Sequence, residues 1–422
     1  MSNKVSRIFI FRRDLYPKTR AELVADIIAG ITVAIVALPL AIGFGITAGM
    51  SAAAGITTAI VAGFLAALFG GSNYQVSGPT GAMTVVLIPV IAKFGPAAIP
   101  ALGVLAGLGL VLLSVLRLGK LINQVPHSVV EGFTVGIALV IALQQLPLAL
   151  GVPKGEGEKT LAVAKSTIEN AVAAGINWST LGILALTLFV KFNIVRFIIF
   201  LKIKPYVPAS FSALLVSTTV VQVFGIDVQL IGEIPRNVAS WTAPIWSNLS
   251  QLIQPALAIT ALAAIESLLA ARVADDLAKA KNKFSPNQEL LGQGVATMAA
   301  SVLGGMPATG AIARTNVNVR SNANSRLAAM IHSLVLLLII VFAAPLFGKI
   351  PTAAIAGVLI GTSFRIFNPT SMREIFNSNY KTIFIYLTTA VATVAIDLIW
   401  GISIGIMIYL ALTKFKFTKA TN

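Results

Sequence analysis

Apolar runs of roughly bilayer-crossing length alternate along this chain with short polar or basic joints. A crossing needs about 20 apolar residues, and fewer where a helix is broken. By that measure, spans are predicted near 25–48, 52–70, 79–94, 97–116, 127–150, 177–201 and 207–225. A second set is predicted near 252–277, 286–303, 310–321, 325–347, 351–367, 380–396 and 398–415. The third span of each set is short, and an odd number of spans per set turns the second copy upside down. The pattern therefore predicts an all-α polytopic membrane protein with 14 transmembrane segments in 7+7 inverted repeats. Repeat 1 covers 25–225 and repeat 2 covers 252–415, with an extracellular linker at 226–251. A basic cytoplasmic segment (1–24) leads in and a cytoplasmic tail (416–422) follows. The first span carries Pro39, which is expected to break it, and the longest polar insertion, Lys154 to Asn170, is expected outside.

Both short spans open on the same letters: Pro79-Thr80-Gly81-Ala82 and Ala308-Thr309-Gly310-Ala311, each preceded by a Gly-Gly pair. Their approaches, Ser77-Gly78-Pro79 and Met306-Pro307-Ala308, read as extended backbone. In hydrocarbon such backbone is tolerated only where it is buried in protein or lines a cavity. The third and tenth spans are thus predicted to be half-helices that start in mid-membrane. The first N–H groups of a helix lack intrahelical partners, and the macrodipole places about half a positive charge there. Two such ends facing each other suit a small anion. Gly81 and Gly310 would let it approach the backbone, Ala82 and Ala311 continue the two turns, and the Thr80 and Thr309 hydroxyls could donate to it. The competing reading is a kink with glycines used for helix packing.

Composition agrees with a membrane protein: 57% of the residues are hydrophobic and only 11% charged, against roughly 25% charged in soluble domains. There is no cysteine, which removes disulfides and thiolate chemistry, and two histidines are too few for a histidine-built metal centre. No metal site and no catalytic residues are expected, and the chain is not read as an enzyme. The net charge of +16 follows from topology and does not imply a nucleic-acid partner. On the predicted spans, 25 of the 31 Lys and Arg fall on one side and 6 (Lys93, Lys154, Lys159, Lys165, Arg236 and Lys349) on the other. This is the positive-inside pattern for a multi-pass protein of the cell (inner or plasma) membrane with both termini cytoplasmic. The N-terminus lacks the short apolar core of a signal peptide.

Inside the spans, charge is rare enough to be informative. Glu266 sits in Ala256–Ala271, which otherwise carries no charge. A carboxylate there costs about 2.5–3.5 kcal/mol even on lenient insertion scales, so it is a functional candidate by default. Beside an anion site it could take up a proton together with the substrate, giving symport; the bland alternative is a structural tie to backbone or to Arg314. Arg314, five residues after Thr309, could set a full positive charge under the pocket or could merely snorkel to the inner interface. Phe44, after Pro39, could form part of the pocket wall. Glu131, His127 and His332 carry weaker signals.

These residues resemble the SulP family, the sulfate-permease and solute-carrier anion-exchanger group. The resemblance lies in Asp26-Ile27-Ile28-Ala29-Gly30-Ile31 with Ala37-Leu38-Pro39, in Gly78-Pro79-Thr80-Gly81-Ala82-Met83, and in Leu303-Gly304-Gly305 leading to Ala311-Ile312-Ala313-Arg314-Thr315. It runs from about residue 20 to 415 and implies the fold shared with nucleobase transporters. In that fold a substrate-carrying core domain moves against a gate domain as an elevator, within a homodimer. By the family pattern Thr80 to Ala82, Gly310, Ala311 and Arg314 map onto the anion site, and Glu266 onto the acidic position of the eighth span. Pro79 to Val86 looks most like the bicarbonate-transporting bacterial branch. Where sodium-coupled members carry an Asp with a Thr four residues on, this chain has Glu266 and Ala270; where they carry a Thr after the Gly-Ala pair, it has Ile312. Two hydroxyl ligands for a hard cation are gone, which favours a proton over sodium as the coupling ion. The STAS domain usual in the family is not expected within this sequence, since after Leu412 only Thr413–Asn422 remain.

The expected function is secondary active transport of a small inorganic anion, bicarbonate or sulfate ahead of chloride, coupled to a proton or run as exchange, with no cofactor. The alternatives are a sodium-coupled bicarbonate symporter, an uncoupled chloride or anion channel, and a nucleobase–proton symporter on the same fold.

Overall fold

A computed structural model describes residues 17–122, 125–157, 159–200, 208–234, 239–367, 369–396 and 398–417. Lys4, Arg7, Arg12 and Arg13 of the basic lead-in, Lys202, Lys204, Arg236 with Pro235 of the linker, and Lys419 lie outside the described residues.

Each of the fourteen predicted stretches carries a helix. The first half holds α1 (Arg20–Thr47), α2 (Ala52–Phe69), a two-residue strand β1 (Ser77–Gly78), α3 (Gly81–Phe94), α4 (Ile99–Val115), α5 (Gly119–Ile122), α6 (His127–Gln144), α7 (Leu146–Leu150), α8 (Thr160–Ala174), α9 (Trp178–Phe200) and α10 (Ala209–Phe224). The second half holds α11 (Leu249–Leu277), α12 (Pro286–Val302), β2 (Thr309–Gly310), α13 (Ile312–Arg320), α14 (Leu327–Gly348), α15 (Thr352–Ile366), α16 (Pro369–Phe376), α17 (Tyr380–Ala395) and α18 (Leu398–Phe417). Seven of the described helical segments are long and apolar enough to cross a bilayer, and four more are apolar but shorter.

The structure differs from the sequence expectation in three local respects. Pro39 does not break α1, which runs through it. A proline removes one donor and crowds the carbonyl four residues back, here that of Ile35, and the buried run Ala37–Gly45 holds the helix together across that point. The stretch near 127–150 divides into α6 and α7 at Gln145, followed by Pro147, which suits the first turn of a new helix. The polar insertion after Lys154 is largely helical, α8 starting within it at Thr160 and running past Asn170 to Ala174.

Helix packing forms two groups. In the first, α2 lies on α12; α4 packs on α12 and α11, and α14 packs on α2 and α1. In the second, α6 lies on α15; α6 takes α17 and α18, and α15 takes α9 and α10. When the helices of the two halves are matched in order, nearly every one of these contacts recurs with the halves exchanged. Close approach depends on small residues. A Cβ on Gly55 would lie 1.9 Å from the Ala41 carbonyl oxygen, so α1 and α2 touch backbone to backbone.

Buried polar groups tie the halves together. The Asp26 carboxylate on α1 accepts from the Asn324 and Ser325 N–H groups and the Ser325 hydroxyl ahead of α14. Glu289 on α12 accepts from the Gly71 and Ser72 N–H groups at 2.8 and 3.0 Å and from Gln293 at 2.9 Å. In the second group Lys191 of α9, 1% exposed, donates to Ser210 of α10 and to the Val358 carbonyl and Thr362 hydroxyl of α15.

Candidate functional site

The two Thr-Gly-Ala runs meet. β1 and β2 pair antiparallel, with Ser77 opposite Gly310 and Gly78 opposite Thr309. The pairing satisfies extended backbone that hydrocarbon could not, and it sets the starts of α3 and α13 side by side. The ladder has no signature in the sequence, since two residues per strand leave no periodic signal.

Each start has its own chemistry. Thr80 is the N-cap of α3, in extended backbone, and its hydroxyl accepts from the Met83 N–H. The N–H groups of Gly81 and Ala82 have no intrahelical acceptor. Helix α13 begins at Ile312, two residues later than the sequence suggests, with Ala311 as a cap that offers no side-chain acceptor. The Gly310 N–H is taken by the Ser267 hydroxyl at 3.0 Å, and the Ala311 N–H by the Val76 carbonyl at 2.9 Å. The donors left at this end are therefore those of Ile312 and Ala313, two residues beyond the expected pair.

Helix α11 supplies the third wall. The Thr80 hydroxyl donates to Glu266 Oε2 at 3.1 Å, and Ser267 and Thr309 share a hydrogen bond of 3.0 Å between their hydroxyls. Ser267 does not stand out in the sequence, because a serine in an apolar helix usually bonds its own backbone. Glu266 is half-buried and Ala313 exposed.

Arg314 is 1% exposed and does not snorkel. Its guanidinium donates to the Pro79 carbonyl just ahead of α3, while Nη1 is buried without a hydrogen-bond partner. A Cβ on Gly78 would lie 2.5 Å from Nη1, so only a glycine lets the strand pass over this charge. No ion pair joins Arg314 to Glu266 among the described residues. Phe44, 8% exposed, borders the other side: a Cβ on Gly81 would lie 3.2 Å from its ring and 2.2 Å from Ile141 Cδ1 of α6. Ala82 is buried in the first turn of α3. Thr80, Gly81, Ala82, Phe44, Glu266, Thr309, Gly310, Ala311 and Arg314 thus come together from α1, α3, α11, β2 and α13. His127 lies exposed at the start of α6, and His332 is buried in α14. No His/Cys/Asp/Glu cluster able to hold a metal is found among the described residues.

The arrangement presents free N–H groups from two helix starts, a buried cation, a hydroxyl and a carboxyl around one point, a combination suited to a small oxyanion with an exchangeable proton beside it. The chain is similar to known membrane transporters over most of its length. Residues 23–389 match the sulfate permease family. The chain is 34% identical to YvdB of Bacillus subtilis (strain 168) over 94% of its length and 74% of the relative's. It is 32% identical to the bicarbonate transporter BicA of Picosynechococcus sp., over 92% of this chain and 69% of that one. The solved transmembrane domain of a cyanobacterial BicA superposes with a TM-score of 0.82 at 29% identity, covering 90% of this chain and 97% of the other.

Proposed function

This chain belongs to the sulfate permease family of membrane anion transporters, and from that footing we propose that it is a secondary active carrier of bicarbonate or sulfate that binds its anion between the starts of α3 and α13. The observation that carries this reading is the antiparallel pairing of β1 with β2, which brings the two half-helix starts to one place. The N–H groups of Gly81, Ala82, Ile312 and Ala313 and the Thr309 hydroxyl are the proposed anion donors, with Arg314 supplying charge from behind, while the Thr80 hydroxyl is committed to Glu266. Glu266, held by Thr80, is the proposed proton-coupling group.

The recurrence of packing contacts with the halves exchanged supports inverted repeats of seven spans each. In this reading α1–α4 with α11–α14 form the mobile core, α6, α9, α10, α15, α17 and α18 form the gate, and transport is an elevator-type movement of one against the other. The basic residues then face the cytoplasm with both termini, in the plasma membrane, and the working unit is a homodimer.

Uptake of labelled bicarbonate and sulfate into proteoliposomes, under an imposed proton or sodium gradient, tests the proposal. Saturable uptake driven by protons is expected. Uptake driven by sodium alone would overturn the coupling argument from Ala270 and Ile312, and large ohmic currents would favour a channel.

A further inference from the structure

Apart from the half-helix site, the described residues enclose a large cavity of about 1150 Å³. One wall comes from the ends of α1 and α3 and the other from α6, α7 and the segment leading into α8, with Trp400 of α18 at its side. Its lining includes close chain neighbours of the residues around the anion site. Val85 lies one turn beyond Gly81 on α3, Ile46 two residues past Phe44, and Leu143 two residues past Ile141. Phe44 and Ile141 are the side chains packed against Gly81, so they stand between this cavity and the start of α3.

Among the described residues, the charged lining is all of one sign. Lys93 from the last turn of α3 and Lys154 and Lys159 ahead of α8 border the cavity, and no carboxylate is among its described lining residues. Glu156, between two of these lysines in the chain, is exposed and does not line it. Partial desolvation holds the Lys154 ammonium below its ordinary pKa, and an adjacent anion would raise it. A cleft lined by like charges with apolar walls focuses its field, concentrates counter-ions and raises their on-rates, an effect that fades as salt increases.

We propose that this cavity is an anion-collecting vestibule, in which Lys93, Lys154 and Lys159 concentrate small inorganic anions above a Phe44–Ile141 barrier before they reach the half-helix site. The role rests on the transport reading given above, but the field in the vestibule can be measured without transport.

Trp400 is the reporter. In the full chain with Trp178, Trp241 and Trp246 replaced by Phe, iodide should quench Trp400 more strongly, relative to neutral acrylamide, than it quenches free tryptophan at low ionic strength. Lys93→Gln, Lys154→Gln and Lys159→Gln combined should remove that excess and leave acrylamide quenching unchanged. Equal iodide-to-acrylamide ratios in the two proteins would overturn the proposal. In proteoliposomes, the triple variant should lose about tenfold in apparent affinity for bicarbonate or sulfate added at the lysine-bearing face, along with most of its salt dependence. Affinity from the opposite face should not change, and an equal loss from both faces would count against a vestibule. A wild-type protein that shows the iodide excess yet carries neither anion would sink the transport reading and leave the vestibule standing.

Discussion

Thr80 and Glu266 meet across the site: the residue that caps α3 with its hydroxyl oxygen gives that hydroxyl's proton to a carboxylate on α11 at 3.1 Å. One side chain therefore orients both the helix start and the proposed proton site. Thr80→Val removes the cap and the carboxylate's donor together. The loss of a hydrogen bond to a charged group costs about 1.5–3 kcal/mol, so anion affinity should fall roughly tenfold to a hundredfold in uptake assays. Serine at the same position should restore most of it.

Glu266→Gln keeps the shape and the contact with Thr80 but cannot exchange a proton. Uptake measured across pH in proteoliposomes should become flat, while exchange of labelled for unlabelled anion persists in part. A variant whose pH profile matches the wild type would take the coupling role away from Glu266.

Arg314 tests geometry against charge. Lysine keeps the charge as a point and loses the planar fork that holds Nη2 on the Pro79 carbonyl and Nη1 beneath Gly78. Arg314→Lys should weaken anion affinity by about one order of magnitude, about 1.4 kcal/mol, and Arg314→Gln by more. Equal affinities for the two variants would mean that the charge does not matter, and wild-type affinity in Arg314→Lys that the fork does not.

Two glycines should respond oppositely to the same change. Gly55→Ala drives a methyl into the Ala41 carbonyl where α1 and α2 touch, and should cost about 1–3 kcal/mol. Gly182, inside α9, has no neighbouring atom within 4 Å of where an alanine methyl would sit, so alanine there should be neutral or stabilising by up to about 1 kcal/mol. Thermal unfolding in detergent reads both.

Lys191 is a buried ammonium whose stem also covers Gly361. Lys191→Ala leaves both a cavity and orphaned acceptors on α10 and α15 and should cost about 3–5 kcal/mol. Lys191→Met fills the volume and should recover much of that loss. Matching unfolding temperatures for the two variants would show that filling the space contributes nothing.

The apolar lengths and the repeated Thr-Gly-Ala locate the helices and the two starts, because a broken span with proline and glycine ahead of it has few alternatives in lipid. Glu266 is visible for the related reason that charge is costly there. The partners are not visible. Ser267, Gln293, Glu289 and Asp26 bond to groups far away in the chain, and neither periodicity nor composition records which distant backbone a side chain will meet. Lys191 looks in sequence like one more inner-side lysine because the hydroxyls and the carbonyl that it donates to carry no signal in the sequence. Pro39 misleads because local helix penalties are small beside the packing of a whole buried face.

The two-residue ladder between Ser77–Gly78 and Thr309–Gly310 has a thermodynamic corollary. It rivets the two helix starts together, so in the proposed carrier the cargo seat would keep its dimensions whichever side of the membrane it opens to. A seat that does not deform has one intrinsic dissociation constant for both orientations. A carrier built on such a seat would owe any difference in apparent affinity between its two faces to the access routes and not to the seat.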